Sequence, residues 1–436
     1  MSKKIWLIAL CLAVLCSHST CAQTRVMGID ELFRLADENS KSIQMHQTGK
    51  EAADEALKTA KAQKLPDISI SASASYLGNG QLWDRDYTNY QNINMPHFGN
   101  NFSIEAQQVV YAGGAINGGI KLAELEKQLS ELDWMKNKQE IRFLLVGHYL
   151  DLYKLNNQIK VLHRNLELTD QVIANMHARR EQGTALKNDI TRYELQKETL
   201  KLQLARVEDA CKIANHQLVT TLHLPENTEI IPDTTLLDKK IETMSESDWQ
   251  AIASGSNINL QQAKLSIAVN EQRLKVEHSE FLPRVSIVAS DHLDGPITIE
   301  VPVLNNNFNY WYVGIGIKYN LSSLFKNNRR IKQAKLKIRQ SQENSELAYE
   351  HVETAVQEGY VNFLTSFTDL HTQENSVRLA NENYRVTSNR YRNEMALLTD
   401  MLDASNMKLS ADLGLVNARI NVIYNYYKMK YITHTL

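Results

Sequence analysis

A six-residue motif occurs twice in this chain and constrains its fold more than any other feature. The sequence Leu-Pro-Asp-Ile-Ser-Ile of residues 65–70 recurs as Leu-Pro-Arg-Val-Ser-Ile at residues 282–287, 217 positions later (282 − 65). Residues 120–123 likewise match residues 331–334, at a spacing of 211 (331 − 120). Self-similarity at a fixed spacing is typical of a duplicated structural unit. The sequence therefore predicts two copies of a helix–hairpin–helix unit.

Four short segments alternate between apolar and small polar residues, as strands do: residues 67–77, 102–112, 283–291 and 310–321. In the last segment one face carries Trp311, Val313, Ile315 and Ile317, and the other carries Gly314, Gly316 and Lys318. Strict alternation indicates one face in an apolar medium and one in a polar medium. A transmembrane β-strand needs only about 9–11 such residues. We therefore predict that the four large side chains face lipid.

The rest of the chain has helical periodicity. Apolar positions from Ile190 to Leu218 follow one another in steps of three and four, and steps averaging about 3.5 mark a coiled-coil seam. No proline lies between Pro96 and Pro225, so nothing compels a break between residues 115 and 180. At 1.5 Å per residue that helix would be roughly 100 Å long. The helices are therefore predicted to form a long coiled-coil bundle.

The duplication predicts a first repeat at residues 23–230 and a second at 248–436. Pro225, Pro232 and a Thr/Asp cluster predict an irregular connection, with the linker proper at residues 231–247. Each strand pair has helices at both outer ends, so all helices leave the membrane on one side.

Four strands are too few for a closed barrel, and open strand edges are not tolerated in lipid. The chain must therefore share its strands with other copies. Three copies would give twelve strands, a number within the bacterial range. The sequence pattern alone therefore requires an oligomer, but it does not determine that the number of copies is three.

The first 22 residues are typical of a removed export signal. Lys3 and Lys4 precede an apolar run at residues 5–16, which is too short to span a bilayer as a helix. We place cleavage after Ala22. The alternative is a lipoprotein anchored at Cys21, although His-Ser-Thr before that cysteine matches a lipobox poorly.

Composition and motifs argue against nucleic-acid binding and catalysis. Cleavage of the signal removes Lys3 and Lys4 and leaves 46 basic residues (48 − 2) against 50 acidic ones. The mature chain therefore has no excess of basic residues with which to bind nucleic acid. Cys211 would be the single cysteine of the mature chain. No hydrolase, zinc-protease or dithiol motif is present, and a glycine-rich stretch at residues 113–121 lacks the phosphate-loop spacing. We expect no enzymatic activity, cofactor or metal.

These features together resemble the TolC-like outer-membrane efflux family over essentially the whole mature chain. The similar residues are an amphipathic start at 29–32, the two strand entries at 65–70 and 282–287, the strand residues 312–317, and Arg-Tyr at 390–391 followed by Leu-Thr-Asp-Met-Leu-Asp-Ala at 398–404. The resemblance implies a mainly α fold with transmembrane β: a trimeric twelve-stranded outer-membrane barrel continued by an α-helical coiled-coil tunnel in the periplasm.

The resemblance also implies a function. The chain would be a passive exit duct of a tripartite efflux or type I secretion system, carrying small molecules or peptides to the exterior. Its partners would be two further copies of itself, a periplasmic adaptor (membrane fusion) protein, an inner-membrane pump and outer-membrane lipid. The alternative, from another class, is an exported coiled-coil structural or adhesive protein with a soluble β head.

Four residues are implied to lie at a periplasmic gate: Tyr391, Asp189, Asp400 and Asp403. Asp400 and Asp403 are three apart and so share a helical face. Three copies would gather six carboxylates into a cation-attracting ring, whereas in the alternative reading both residues belong to a solvated helix surface. The chain departs from the family in two places. Its second tip has Glu394 where the first has the turn glycine Gly183, and Ala396 replaces a frequent basic residue.

Overall fold

The computed structural model describes residues 23–233, 241, 243–301, 303–393 and 395–436. The predicted signal peptide with Cys21, and Glu394, lie outside these residues. Eight helices are present in the described ranges: α1 Ile29–Asn39, α2 Lys41–Ala62, α3 Ala115–Glu181, α4 Lys187–Thr221, α5 Glu246–Ser256, α6 Ile258–Ser279, α7 Ser323–Arg392 and α8 Leu398–Ile432. None of them combines the length and the apolarity of a membrane-crossing helix.

The helices form two matched sets. Helices α1 and α5 are both 11 residues long and α2 and α6 both 22, and each pair starts 217 residues apart (246 − 29; 258 − 41). Helices α4 and α8 are both 35 residues long and start 211 apart (398 − 187). The two spacings read from the sequence thus recur in the element bounds.

The strands explain why there are two spacings. The longer strands are β2 Asp67–Tyr76, β5 Phe98–Tyr111, β7 Arg284–Gly295 and β8 Phe308–Lys318, in one antiparallel sheet of order β2-β5-β7-β8. Ile70 pairs with Ile104, and Ile287, 217 later, pairs with Ile315, 211 after Ile104. Both hairpins therefore have the same register. The second copy is six residues shorter (217 − 211) only in its connecting loop.

The sheet is longer at the loop end than the alternation predicts. Strand β5 begins at Phe98 rather than 102, and β7 continues to Gly295 rather than 291, whereas β8 ends at Lys318 rather than 321. The added ladder carries polar side chains that bond across strands, as Asn101 does to Asp294. Inside the first loop, β3 Gly80–Leu82 and β4 Gln91–Ile93 form a further antiparallel pair. Backbone pairing thus extends past the point where apolar alternation stops.

The connection between the repeats is not wholly irregular, which corrects the prediction for residues 225–247. Strand β6 Thr228–Pro232 pairs in parallel with β1 Gln23–Met27. The Asn215 side chain fixes this strand, donating to the Thr228 carbonyl at 2.9 Å and accepting from the Ile230 amide at 2.9 Å. Alternate residues Thr228 and Ile230 are buried, so the segment packs as a strand. Residues 234–240 and 242 of the predicted linker lie outside the described residues.

The chain divides into two compact units, and each takes segments from both repeats. One unit comprises Gly49–Glu131 and Gln262–Glu346 and contains the four-stranded sheet. The other comprises the described residues up to Thr48, Leu132–Gln261 and Leu347–Leu436. Its largest apolar core includes Leu32, Leu145, Tyr149 and Leu218, all fully buried. The Tyr149 hydroxyl donates to the Met27 carbonyl at 2.9 Å, which ties β1 to this core.

Candidate functional site

The register gives the four-stranded sheet one apolar face. Residues directly opposite each other in an antiparallel ladder lie on the same side of the sheet. The pairing therefore collects twelve large, solvent-exposed side chains, here called the apolar face: Ile68, Ile70, Tyr76, Phe98, Phe102, Ile104, Tyr111, Ile287, Trp311, Val313, Ile315 and Ile317. Ile315, for example, is 75% exposed. One acid, Asp291, shares this side close to the loops, where the Asn309 side chain donates to it at 2.9 Å.

The opposite side of the sheet is mainly polar, with Tyr310, Tyr312 and Phe308 of β8 as its large aromatic residues. It carries Ser69, Ser71, Ser73, Asn101, Ser103, Glu105, Gln107, Ser286, Ser290 and His292, here called the polar face. These groups bond to one another: Ser71 and Ser103 are 2.8 Å apart, and Ser290 lies 2.7 Å from His292. A contiguous exposed apolar surface of this size marks contact with a membrane or another protein. The sheet therefore has one face suited to an apolar environment and one suited to water.

The end of α3 with the start of α4, and the end of α7 with the start of α8, form two matching hairpin tips. In the first tip the Thr184 amide donates to the Arg179 carbonyl at 2.9 Å, and in the second the Met395 amide donates to the Arg390 carbonyl at 2.8 Å. This six-to-one bond closes a helix with a Schellman motif. Gly183 has a φ of 76°, the left-handed conformation that the motif requires and glycine tolerates. The two tips thus end their helices in the same way.

Asp189 and Asp400 occupy equivalent positions, third in α4 and third in α8. The Asp189 carboxylate accepts the Leu186 amide at 3.4 Å, and the Asp400 carboxylate accepts the Leu397 amide at 3.0 Å. An acid in the first turn also interacts favourably with the helix dipole. Both aspartates therefore stabilise the start of a helix. Asp400 and Asp403 are both solvent-exposed, so α8 presents two carboxylates at this end.

An apolar cluster joins the two hairpins just behind their tips. It consists of Met176, Ile190, Tyr193, Leu398 and Met401, which come from α3, α4 and α8. Tyr193 is 2% exposed and its hydroxyl is buried without a hydrogen-bond partner. Burial raises the pKa of Tyr193, so the phenol stays neutral. The hairpins are therefore packed against one another.

Arg179 connects the first tip to Tyr391, the tyrosine predicted to act in a gate. The Arg179 guanidinium carbon lies 5.4 Å from the centre of the Tyr391 ring, and its Nη1 donates to the Tyr391 carbonyl at 3.3 Å. Burial raises the pKa of Tyr391, Arg179 acts in the opposite direction, and Asp189 adds to the increase. Arg179, Tyr391 and Asp189 thus come close enough to influence one another electrostatically. Arg179 and Asp189 belong to the first hairpin and Tyr391 to the second.

Arg179 is a tip residue that is not among the gate residues predicted from the sequence. A signal for it existed, because the spacing of 211 relates Arg179 to Arg390 (390 − 179), within the recognised Arg-Tyr pair. The two arginines behave differently: Arg390 donates to the Met395 carbonyl of its own tip at 3.2 Å, whereas Arg179 reaches the other hairpin.

The sequence matches the family model described as outer membrane efflux protein over residues 32–222 and 251–426. The chain belongs to the outer membrane efflux protein family. The match leaves out residues 223–250, which include the connection between the repeats. No curated protein sequence matches this efflux protein.

Solved structures share the fold of this efflux protein at low sequence identity. VceC of Vibrio cholerae is 13% identical with a TM-score of 0.78, and the alignment covers 93% of this chain and 96% of VceC. The CmeC outer membrane channel of Campylobacter jejuni is 13% identical with a TM-score of 0.75 (93% and 85% covered). The MtrE channel of Neisseria gonorrhoeae, solved in its open state, is 15% identical with a TM-score of 0.74 (93% and 88% covered).

Family and fold confirm several predictions. The TolC-like resemblance is correct, and so is the fold class of long helices combined with strands for an outer-membrane barrel. The protein is an outer-membrane efflux channel located in that membrane, with its helices on the periplasmic side. Its membership of a channel family places it among transport proteins.

Proposed function

We propose that three copies of this efflux protein close a twelve-stranded barrel and form a passive exit duct. The observation that carries the proposal is the one-sided sheet. In the proposed trimer its apolar face, including Trp311, Val313, Ile315 and Ile317, lies against acyl chains. Strands β2 and β8 are the edges of the sheet, and every residue of β2 is exposed. Edges cannot stay unpaired in lipid, so β8 of one copy pairs with β2 of the next.

The duct carries small molecules or peptides from a periplasmic adaptor and an inner-membrane pump to the exterior, in tripartite efflux or type I secretion. The polar face lines its pore, where hydroxyl and amide groups keep the wall wetted. Energy for transport comes from the pump, since the residues identified in the channel serve packing, capping and pairing. The first repeat at 23–230, the linker and the second repeat at 248–436 are the two halves of one duplicated protomer.

The periplasmic end of the duct is closed by the hairpin tips. Tyr391, Arg179 and Asp189 hold the second hairpin against the first, and Asp400 with Asp403 of three copies form a ring of six carboxylates. Carboxylates converging on a narrow mouth concentrate cations there. This arrangement is supported by the contact of Arg179 with Tyr391 and by the exposure of both aspartates on α8.

The purified full-length protein should behave as a homotrimer in detergent and conduct ions after insertion into planar bilayers. Native mass measurement and single-channel recording on the same preparation test both expectations. A folded, detergent-solubilised monomer would contradict the shared barrel. A soluble oligomer that neither enters bilayers nor fractionates with outer membranes would favour the alternative, an exported coiled-coil structural or adhesive protein.

Divalent and trivalent cations added on the periplasmic side should block the channel, because hard oxygen ligands favour such ions. The double change Asp400→Asn with Asp403→Asn should relieve the block by about tenfold or more in blocking concentration, since it removes both charges of the ring from every chain. An asparagine at position 400 can still accept the Leu397 amide, so the helix start persists. Dose–response recordings of single-channel current measure the effect.

The matched control is Glu198→Gln with Asp209→Asn, which removes the same charge from exposed positions of α4 outside the tip. Its block should equal that of the unmodified protein. Unchanged block in the tip variant would return Asp400 and Asp403 to a solvated helix surface. Equal relief in both variants would show a general charge effect rather than a ring.

A further inference from the structure

The first four turns of α7 form a strongly basic segment. Residues 326–339 contain seven basic side chains and no acidic ones: Lys326, Arg329, Arg330, Lys332, Lys335, Lys337 and Arg339. All seven are exposed. Within the part of the chain that the structure describes, the one salt bridge among them is that of Arg339 with Glu343, at 3.0 Å. This concentration of charge carries no role in the barrel or in the gate.

The duplication shows that the fold does not require this charge. The equivalent start of α3, residues 115–128, has Lys121 and Lys127 balanced by Glu124 and Glu126. Lys121 pairs with Glu124 at 2.7 Å, and Lys127 pairs with Asp54 at 2.5 Å. The same structural position is therefore neutral and paired in one repeat, but basic and largely unpaired in the other. The charge of the second repeat is an added property.

A pocket of about 190 Å³ lies between this segment and α6. Arg330, Gln333 and Lys337 line it from α7, and Asn270, Arg273 and Glu277 line it from α6. Three cations thus surround one carboxylate. Arg273 also pairs with Glu126 at 2.8 Å, which fixes its side chain. Guanidinium groups match the oxygens of a phosphate in geometry and charge, and amide groups supply further donors.

The pocket lies next to the membrane-spanning strands. Helix α7 begins at Ser323, five residues after β8 ends at Lys318, and Leu324 and Phe325 in its first turn are exposed apolar side chains. Arg330 is seven residues into the helix, about 10 Å along its axis. The headgroup layer is roughly 5–8 Å deep, and long basic side chains extend several ångströms towards it. Arg273 is six residues before the end of α6, about 9 Å along its axis. Arg330 and Arg273 are therefore within reach of lipid headgroups, whereas Lys337, about 21 Å along α7, is not.

We propose that this pocket binds the phosphate group of an anionic phospholipid in the periplasmic leaflet. Clusters of four to eight basic residues beside a membrane-spanning element recognise anionic lipids in this way. Leu324 and Phe325 contact the acyl chains of the same lipid, and Arg330 and Arg273 hold its phosphate. The inference rests on the barrel topology proposed above, which places this end of α7 at the outer surface beside the strands.

Native mass spectrometry of the full-length protein in detergent, titrated with phosphatidylglycerol or phosphatidylcholine, tests the proposal. We expect one phosphatidylglycerol per chain to bind more tightly than phosphatidylcholine. The variant Arg330→Gln with Arg273→Gln should lose on the order of thirtyfold in affinity, since each basic residue near an anionic surface contributes about fivefold. The control, Lys332→Gln with Lys335→Gln, removes equal charge outside the pocket and should lose little.

Equal binding of the two lipids would overturn the proposal, and so would equal losses of affinity in the two variants. A third contrary result would be that millimolar inorganic phosphate displaces the lipid and that the protein does not distinguish phosphatidylglycerol from phosphatidylcholine. The last would indicate a site for free phosphate. Lipid binding is counted without an open channel, so its failure is separable from a failure of the exit-duct function, which is read from conductance. A conducting trimer without bound phosphatidylglycerol would reject only the lipid site.

Discussion

Ile315→Arg should prevent stable insertion of the barrel, whereas Gly316→Ser should leave insertion close to normal. Arginine on the lipid face of a barrel costs about 2–4 kcal/mol at the midplane and little in the lumen. Ile315 pairs with Ile287 on the apolar face, and Gly316 pairs with Ser286 on the polar face. A side chain added at Gly316 would have its Cβ 3.5 Å from the Ser286 hydroxyl, an ordinary contact. The two neighbouring positions therefore differ mainly in the medium they face.

Two measurements compare the variants: the amount of protein in the outer-membrane fraction, and the temperature at which the detergent-extracted oligomer dissociates. Each of the three chains would carry the penalty of the introduced arginine, so the loss multiplies in the trimer. Ile315→Leu is the conservative control and should insert normally. If both Ile315→Arg and Gly316→Ser were tolerated, the assignment of the faces would be wrong. If Gly316→Ser alone failed, the faces would be reversed.

Arg179→Ala should raise the open probability of the channel. The contact of its guanidinium with the Tyr391 ring contributes about 0.5–2 kcal/mol, and a charge-assisted hydrogen bond to a carbonyl about 1.5–3 kcal/mol. A loss of about 2 kcal/mol from the closed state changes the closed-to-open ratio roughly thirtyfold. Single-channel recording in planar bilayers measures this ratio directly.

Arg180→Ala is the matched control, because it removes the same charge from the adjacent, exposed position. Arg390→Ala is a second control, since Arg390 bonds only within its own tip in the contacts described above. Neither should open the channel as far as Arg179→Ala does. Equal opening by Arg180→Ala would mean that the net charge of the tip, not the contact with Tyr391, controls the closed state.

The fold was predictable wherever a periodic signal was long or repeated. The alternation in β8 and the seam from Ile190 to Leu218 are local patterns that report which face is buried. The repeated motif at 65–70 and 282–287 adds long-range information, because equal sequences in one chain adopt equal structures. Family membership and fold likeness confirm the fold class and the outer-membrane location that the resemblance to the TolC-like family implies.

Other features depend on contacts that no local pattern reveals. Strand β6 forms because Asn215, thirteen residues before Thr228, satisfies its backbone. In the sequence, Pro225, Pro232 and the polar residues near them indicate an irregular linker instead. Arg179 is one of two adjacent arginines, and only three-dimensional packing decides which of them reaches Tyr391. The gate roles of Tyr391, Asp189, Asp400 and Asp403, and the lipid-facing role of the β8 side chains, remain predictions for the experiments above.

The matched lengths of α4 and α8 set how this protein tolerates insertions and deletions. The two repeats differ by six residues in the loop between their strands, and α4 and α8 beyond the loops have kept equal length. One residue inserted in a helix turns everything after it by about 100° and moves its apolar seam off its partner. A loop accommodates the same insertion by changing its own backbone conformation, without turning the helices that follow it. Length variation in this chain is therefore confined to the exterior end, and tags or epitopes belong in those loops.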